Sequence, residues 1–518
     1  MKKSFRKLLC TVLAVFMILT SVSTAVFAAE NEELTPVIFV DGIMSSDIVY
    51  AETGENAFVP STNDIINAVK DLILPLGKSI GSGDFTGLGA PLSEALVKIF
   101  DGIACDENGA PVYDTVSNYT IPDADAILSG NIANECKNLG FDAEEVVHFS
   151  YDWRLDMVTI ASQLHDCIEA VLAATGAEKV NLVGFSMGTC VVTTYLHEYD
   201  YEHIDSVVML SGGFNGVSTC GEPFSGQIMF DEAGLATFLK TMLGADVSAT
   251  LVGILLDALS GAGVLGNVMD IAEELNYAIL DDVFELGLKT TFARMAGIWA
   301  LIGQNEYEAA KELLIGSNVS DEFIAKIDYY HYEIQANNKA ILDGVIENGG
   351  NLAIVAKYGS TIPPVSVSQM NIGDSVIDTV NTSFGATCAK ADSTLGENYV
   401  QAVDCGHNHI AADNMIDAST CEYPEYTWFI KDLMHSDHTD AQWGLIRFIF
   451  ASENQPTVWD SADYPQYLIS IDGKIEPLTE ENNSSIYDNA GAPKSIFEMI
   501  INFFKNFFAT FLGLLGIK

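Results

Sequence analysis

Gly184-Phe185-Ser186-Met187-Gly188 constrains this chain more than any other five residues. It follows the apolar run Val180-Asn181-Leu182-Val183 and leads into Thr189-Cys190-Val191-Val192-Thr193-Thr194-Tyr195-Leu196. A strand, a G-x-S-x-G turn and a helix in that order form a nucleophile elbow. Strand and helix crowd the strained turn, so a side chain at either glycine would clash. The Ser186 hydroxyl is thereby lifted above the sheet edge. It sits at a helix N-terminus, where the dipole favours negative charge.

The first 28 residues stand apart from the fold. Lys2, Lys3, Arg6 and Lys7 make a basic head, Leu8 to Leu19 an apolar stretch, and Val26-Phe27-Ala28 a small-residue cleavage site. We expect a signal peptide, cleavage after Ala28, and a secreted protein. Removing those four basic residues takes the formal net charge from −47 to −51. Nucleic-acid binding is excluded as a class, because phosphate contacts need clustered cations. Of the nine cysteines, Cys10 leaves with the signal peptide. Export permits disulfides among the rest, although Cys167 and Cys190 fall in helical patterns that predict buried thiols. No CxxC or HExxH pattern occurs, so neither a metal nor a cofactor is expected.

Short apolar runs alternate with helical patterns on both sides of the elbow. Pro36–Val40, Glu145–Ser150, Val180–Val183, Ser206–Leu210, Leu352–Ala356 and Thr427–Ile430 read as strands. Met157–Ala174 and Gln442–Ala451 read as helices. This alternation predicts an α/β fold with a mostly parallel sheet flanked by helices, and ligands beyond the carboxyl ends of the strands. We expect a first core part over 31–214, with a helical insertion at 64–130. An inserted helical cap over 215–348 follows, then a second core part over 349–455. A C-terminal extension and linker over 456–494 leads to an amphipathic helix over 495–518.

A serine nucleophile needs a base, a group to orient that base, and donors for the oxyanion. In elbow enzymes the chain order is Ser, acid, His. Asp374, in a turn shortly after the Leu352–Ala356 strand, is the favoured acid, and Asp378 the alternative. His435, between the Thr427–Ile430 strand and the last core helix, is the favoured base, with His438 the alternative. The oxyanion donors are expected to be the backbone N–H groups of Met187 and Ile43, by position alone.

These pieces resemble the lecithin:cholesterol acyltransferase-like family of α/β-hydrolase lipases and esterases. Pro36–Val40 with Asp41-Gly42 is similar to the family's P-V-x-x-V-P-G opening, with Asp41 in place of the proline. Tyr151-Asp152-Trp153-Arg154 reproduces its Y-D-W-R. Leu210–Val217 resembles L-G-A-P-W-G-G-V, and Met295–Leu301 the apolar cap segment. The resemblance covers roughly 36–60, 130–220 and 350–450, and neither the 64–130 insertion nor the chain beyond 455. It implies the α/β-hydrolase fold and hydrolysis of lipid or other acyl esters, with transfer of the acyl group to an alcohol as an alternative. Trp153 and Arg154 are then expected to brace the crevice wall.

Two segments leave alternatives open. Leu251–Leu256, with Leu259, Val264 and Leu265, reads either as ordinary cap core or as a lid that opens at a lipid surface. Ser495–Lys518 keeps a narrow polar stripe among phenylalanines and leucines, and its charge-free run from Asn506 to Ile517 is too short to span a bilayer. It fits equally a helix lying in a membrane interface and one docked on the protein itself. A non-catalytic, membrane-associated exported protein is therefore the rival to an enzyme.

Overall fold

Eight strands form one sheet in a computed structural model that describes residues 35–58, 89–128, 146–229, 287–391 and 393–483, with isolated positions between 74 and 87. In chain order they are β1 (Val37–Val40), β2 (Val146–Phe149), β3 (Val180–Phe185), β4 (Ile204–Leu210), β5 (Asn351–Tyr358), β6 (Thr427–Lys431), β7 (Tyr467–Ile471) and β8 (Lys474–Pro477). Across the sheet the order is β8-β7-β6-β5-β4-β3-β1-β2. Every neighbouring pair is parallel except β7 and β8, which close the edge as an antiparallel pair. The chain has the α/β-hydrolase fold.

Alternation along each strand explains why the central runs are apolar throughout. Ile38, Val40, Leu182, Val207, Met209, Leu352 and Ile354 face one core. Val37, Phe39, Val183, Val208, Leu210, Ala353 and Val355 face the other. A parallel sheet covered on both faces has no solvent side to make polar. The first face is covered by α1 (Met157–Thr175), α2 (Gly188–Tyr199) and α3 (Asn338–Glu347). The second is covered by α4 (Asp440–Phe450) through Trp443, Leu445, Ile446 and Ile449. Helix α1 starts where the Asp156 carboxylate accepts from the Thr159 N–H, and stops at Gly176, whose φ of 76° suits glycine.

Two boundaries differ from the sequence reading. The sheet does not end at Thr427–Ile430, because β7 and β8 lie in the stretch assigned to extension and linker. Their short, partly polar runs lack the continuous apolar signal of the central strands, as an edge position permits. The assigned cap over 215–348 also runs too far. Helix α3 packs Ile341, Leu342 and Val345 into the main core and is a crossover helix between β4 and β5. Trp299, Tyr307, Phe323 and Ile327 from the same stretch join that core. The lid-like run Leu251–Leu265, the signal peptide and the 495–518 helix lie outside the described residues.

Ile48–Tyr50, after β1, pairs with Thr115–Ser117 of the insertion as a small antiparallel ladder, and Gly89–Phe100 of the insertion is helical. Arg154 ties this ladder to the core. The guanidinium is fully buried, pairs with both Asp152 carboxylate oxygens at 2.9 and 2.7 Å, and donates to Thr115 Oγ1 at 3.1 Å. Trp153 is buried beneath Phe58. The bracing expected of these two residues is what their contacts deliver.

Candidate active site

Ser186 follows β3 directly and precedes α2, with a φ of 54°. That left-handed backbone is the strain the elbow was expected to hold. Its glycines are required by contact. A Cβ on Gly188 would lie 2.1 Å from the Val40 carbonyl oxygen, so the start of α2 rides against the end of β1. A Cβ on Gly184 would come within 3.1 Å of both Thr189 and Val192. The Ser186 carbonyl accepts from the Gly213 N–H at 3.0 Å and the Thr189 hydroxyl at 2.6 Å, which pins the turn.

Three side chains from separate loops meet here. His435 Nε2 lies 2.9 Å from Ser186 Oγ, and His435 Nδ1 lies 2.7 Å from Asp374 Oδ2. All three residues are buried. The other Asp374 oxygen accepts from the backbone N–H groups of Val376 and Ile377 at 3.1 and 2.8 Å. Burial pushes the Asp374 carboxyl up, but the His435 ring, the Ile377 N–H and the nearby Lys357 ammonium outweigh it. The group is held below the usual carboxylate range.

The two alternatives go elsewhere. Asp378 precedes the short helix Thr379–Thr382, and its carboxylate accepts from Ser218 Oγ, Asn371 Nδ2 and Asn381 Nδ2, none of them an imidazole. Burial raises its carboxyl. The His438 ring stands edge-on to Phe39 and Phe185, with centroids 5.6 and 4.7 Å away, and burial holds it well below the usual imidazole range. His435, not His438, contacts the serine.

Met187 is the residue before α2, where the first N–H groups of a helix lack intrahelical partners. Ile43 follows Gly42, whose Cβ position would fall 2.9 Å from Ser186 Cβ. The loop after β1 therefore lies directly against the serine side chain. Asp41, which stands where the resembled family has proline, is anchored by polar contacts. Its carboxylate accepts from Ser150 Oγ and lies 2.6 Å from His148 Nε2, while its carbonyl accepts from the Tyr151 hydroxyl at 2.8 Å. Burial pushes the Asp41 carboxyl up to about 7 against the pull of Ser150 and Ser45.

Two positions escaped the sequence reading. Tyr151 was noted only as part of a four-residue motif, yet its hydroxyl fixes the loop beside the nucleophile. Lys357 was passed over as the polar end of an apolar strand, although it is fully buried. The available signal was a lone cation at the carboxyl end of a central parallel strand, where ligands bind. Among the described residues no group of three or more His, Cys, Asp or Glu could hold a metal ion, and the seven described cysteines are free thiols.

The alpha/beta hydrolase fold family model matches residues 105–244. A solved structure described as "The crystal structure of Tle4-Tli4 complex" is 12% identical, covering 62% of this chain and 75% of that one, with a TM-score of 0.24. No curated protein matches the chain. Sheet and family match together define the class: an α/β-hydrolase-fold protein, which points to a hydrolase.

Proposed function

We propose that this chain is an exported serine esterase or lipase, cleaving carboxylic esters of lipid acyl groups through an acyl-enzyme. The observation that carries the reading is the unbroken hydrogen-bonded path from Ser186 through His435 to Asp374. His435 Nε2 takes the hydroxyl proton as Ser186 Oγ attacks the acyl carbonyl. Asp374 holds the ring with Nδ1 protonated and stabilises the imidazolium that forms. The N–H groups of Met187 and Ile43 receive the oxyanion, each worth on the order of 3 kcal/mol in the transition state. His435 then returns the proton to the departing alcohol, and water repeats the sequence to release the acid.

The carbonyl-ester chemistry rests on these residues. The lipid substrate class rests on the resemblance of Tyr151–Arg154 and the β1 loop to the lecithin:cholesterol acyltransferase-like family. Export rests on the basic and apolar N-terminus, and contact with a lipid interface on the 495–518 segment and the apolar run near Leu251. Hydrolysis of p-nitrophenyl esters of increasing acyl length, with and without lipid vesicles, tests the reading. The expected result is turnover that rises with chain length or at an interface and disappears in Ser186→Ala. Formation of a new ester with an added alcohol would reassign the protein as an acyltransferase. Absence of turnover and of serine labelling would leave the non-catalytic, membrane-associated alternative.

A further inference from the structure

Lys357 has no part in the proton path, yet its charge acts on Asp374. It pairs with Ile430 across the β5–β6 ladder and is fully buried. The ammonium donates to three backbone carbonyls: Met434 at 3.2 Å, His435 at 2.8 Å and Asp437 at 2.8 Å. An ammonium has three N–H donors, and here each has an acceptor in one short loop. That loop is the one carrying His435 between β6 and α4. Nζ also lies over the Phe185 ring, 5.7 Å from its centroid. The charged and titratable groups around it are Asp374, Asp437, His435 and His438.

Neutral carbonyls repay the desolvation of a buried cation poorly, and the site pulls the Lys357 ammonium down to about 8 by burial. A methionine there would fill the same space without that penalty. What a methionine lacks is a means of gripping the loop. His435 must keep two hydrogen bonds in line at once, and a misplacement of about 1 Å costs on the order of a hundredfold in rate.

We propose that Lys357 is a positioning residue for the general base: its ammonium clamps three carbonyls of the 434–437 loop and so holds His435 between Ser186 and Asp374. This deepens the esterase reading and rests on it. Lys357 therefore acts on the base through the loop that carries it.

Lys357→Met and Lys357→Gln test this. The readouts are kcat and KM on a p-nitrophenyl ester and the rate of fluorophosphonate labelling, all normalised to folded protein. Lys357→Met should lower kcat and the labelling rate at least tenfold with KM within twofold. Lys357→Gln, which keeps two donors but no charge, should regain part of both. Folded variants with wild-type kcat and labelling rate would overturn the proposal. So would a failure of both variants to fold, which would make Lys357 a residue of the fold alone. Should wild-type protein itself resist labelling at Ser186, the esterase reading fails first, and that outcome is distinct from labelling unaffected by Lys357.

Discussion

Asp374 holds His435 twice, accepting from its backbone N–H at 2.6 Å with a carbonyl and from its ring at 2.7 Å with a carboxylate oxygen. The second carboxylate oxygen is already taken by the N–H groups of Val376 and Ile377. An asparagine here must keep its oxygen toward those two donors and turn its amide toward His435 Nδ1. The ring is then forced into the tautomer with the proton on Nε2, where it cannot accept from Ser186. Asp374→Asn should lower kcat by about ten-thousandfold with little change in melting temperature. Steady-state kinetics beside a thermal melt would check it, and a loss below tenfold would contradict the assigned role.

Gly42 and Gly188 should fail differently. A methyl group on Gly42 meets Ser186 Cβ at 2.9 Å, so it pushes on the nucleophile itself. On Gly188 it meets the Val40 and Asp41 carbonyl oxygens at 2.1 and 2.5 Å, two closer contacts with fixed backbone. Gly42→Ala should lose less stability than Gly188→Ala and strongly reduce activity. Gly188→Ala should lose stability by several kcal/mol, on the order of the larger single-site effects. Denaturant melts and activity per folded molecule distinguish the two.

The Asp41 carboxyl gives a pH signature. Burial raises it to about 7, so the folded chain keeps a proton that the unfolded chain releases above about pH 4. The associated stability is complete below the unfolded value, is lost as pH rises toward 7, and stays lost above. Asp41→Asn removes this dependence. Relative to wild type, the variant should gain about 3 kcal/mol between pH 4 and pH 8, measured by urea unfolding. Parallel curves for the two proteins would contradict the assignment.

Arg154 tests the brace. Replacing it with alanine leaves Asp152 as a buried carboxylate without its cation and frees Thr115. Arg154→Ala should cost about 3–5 kcal/mol. A cost within the range of a surface substitution, below about 0.5 kcal/mol, would show that the ladder holds without it.

The sequence made the centre of this fold legible because central parallel strands are apolar on both faces and the elbow needs its glycines. The meeting of Ser186, Asp374 and His435 in space follows the expectation from chain order and from their places after strands. The edge strands β7 and β8 were not, since partial exposure dilutes their apolar pattern. Helix α3 looked like cap because periodicity reports an amphipathic face and not what that face packs against. Asp374 and Asp378 are distinguished only by three-dimensional partners: one carboxylate meets an imidazole, the other a serine and two asparagines. Lys357 left only a positional trace, a lone cation at the end of a central strand, because its acceptors are carbonyls, which residue identity does not record.

The central claim is that Ser186 is a nucleophile activated by His435. Intact-protein and peptide mass spectrometry after fluorophosphonate treatment tests it most directly. One adduct per chain, located on Ser186 and abolished by His435→Ala in folded protein, is the predicted result. An adduct on another residue, or undiminished labelling without the imidazole, would contradict it.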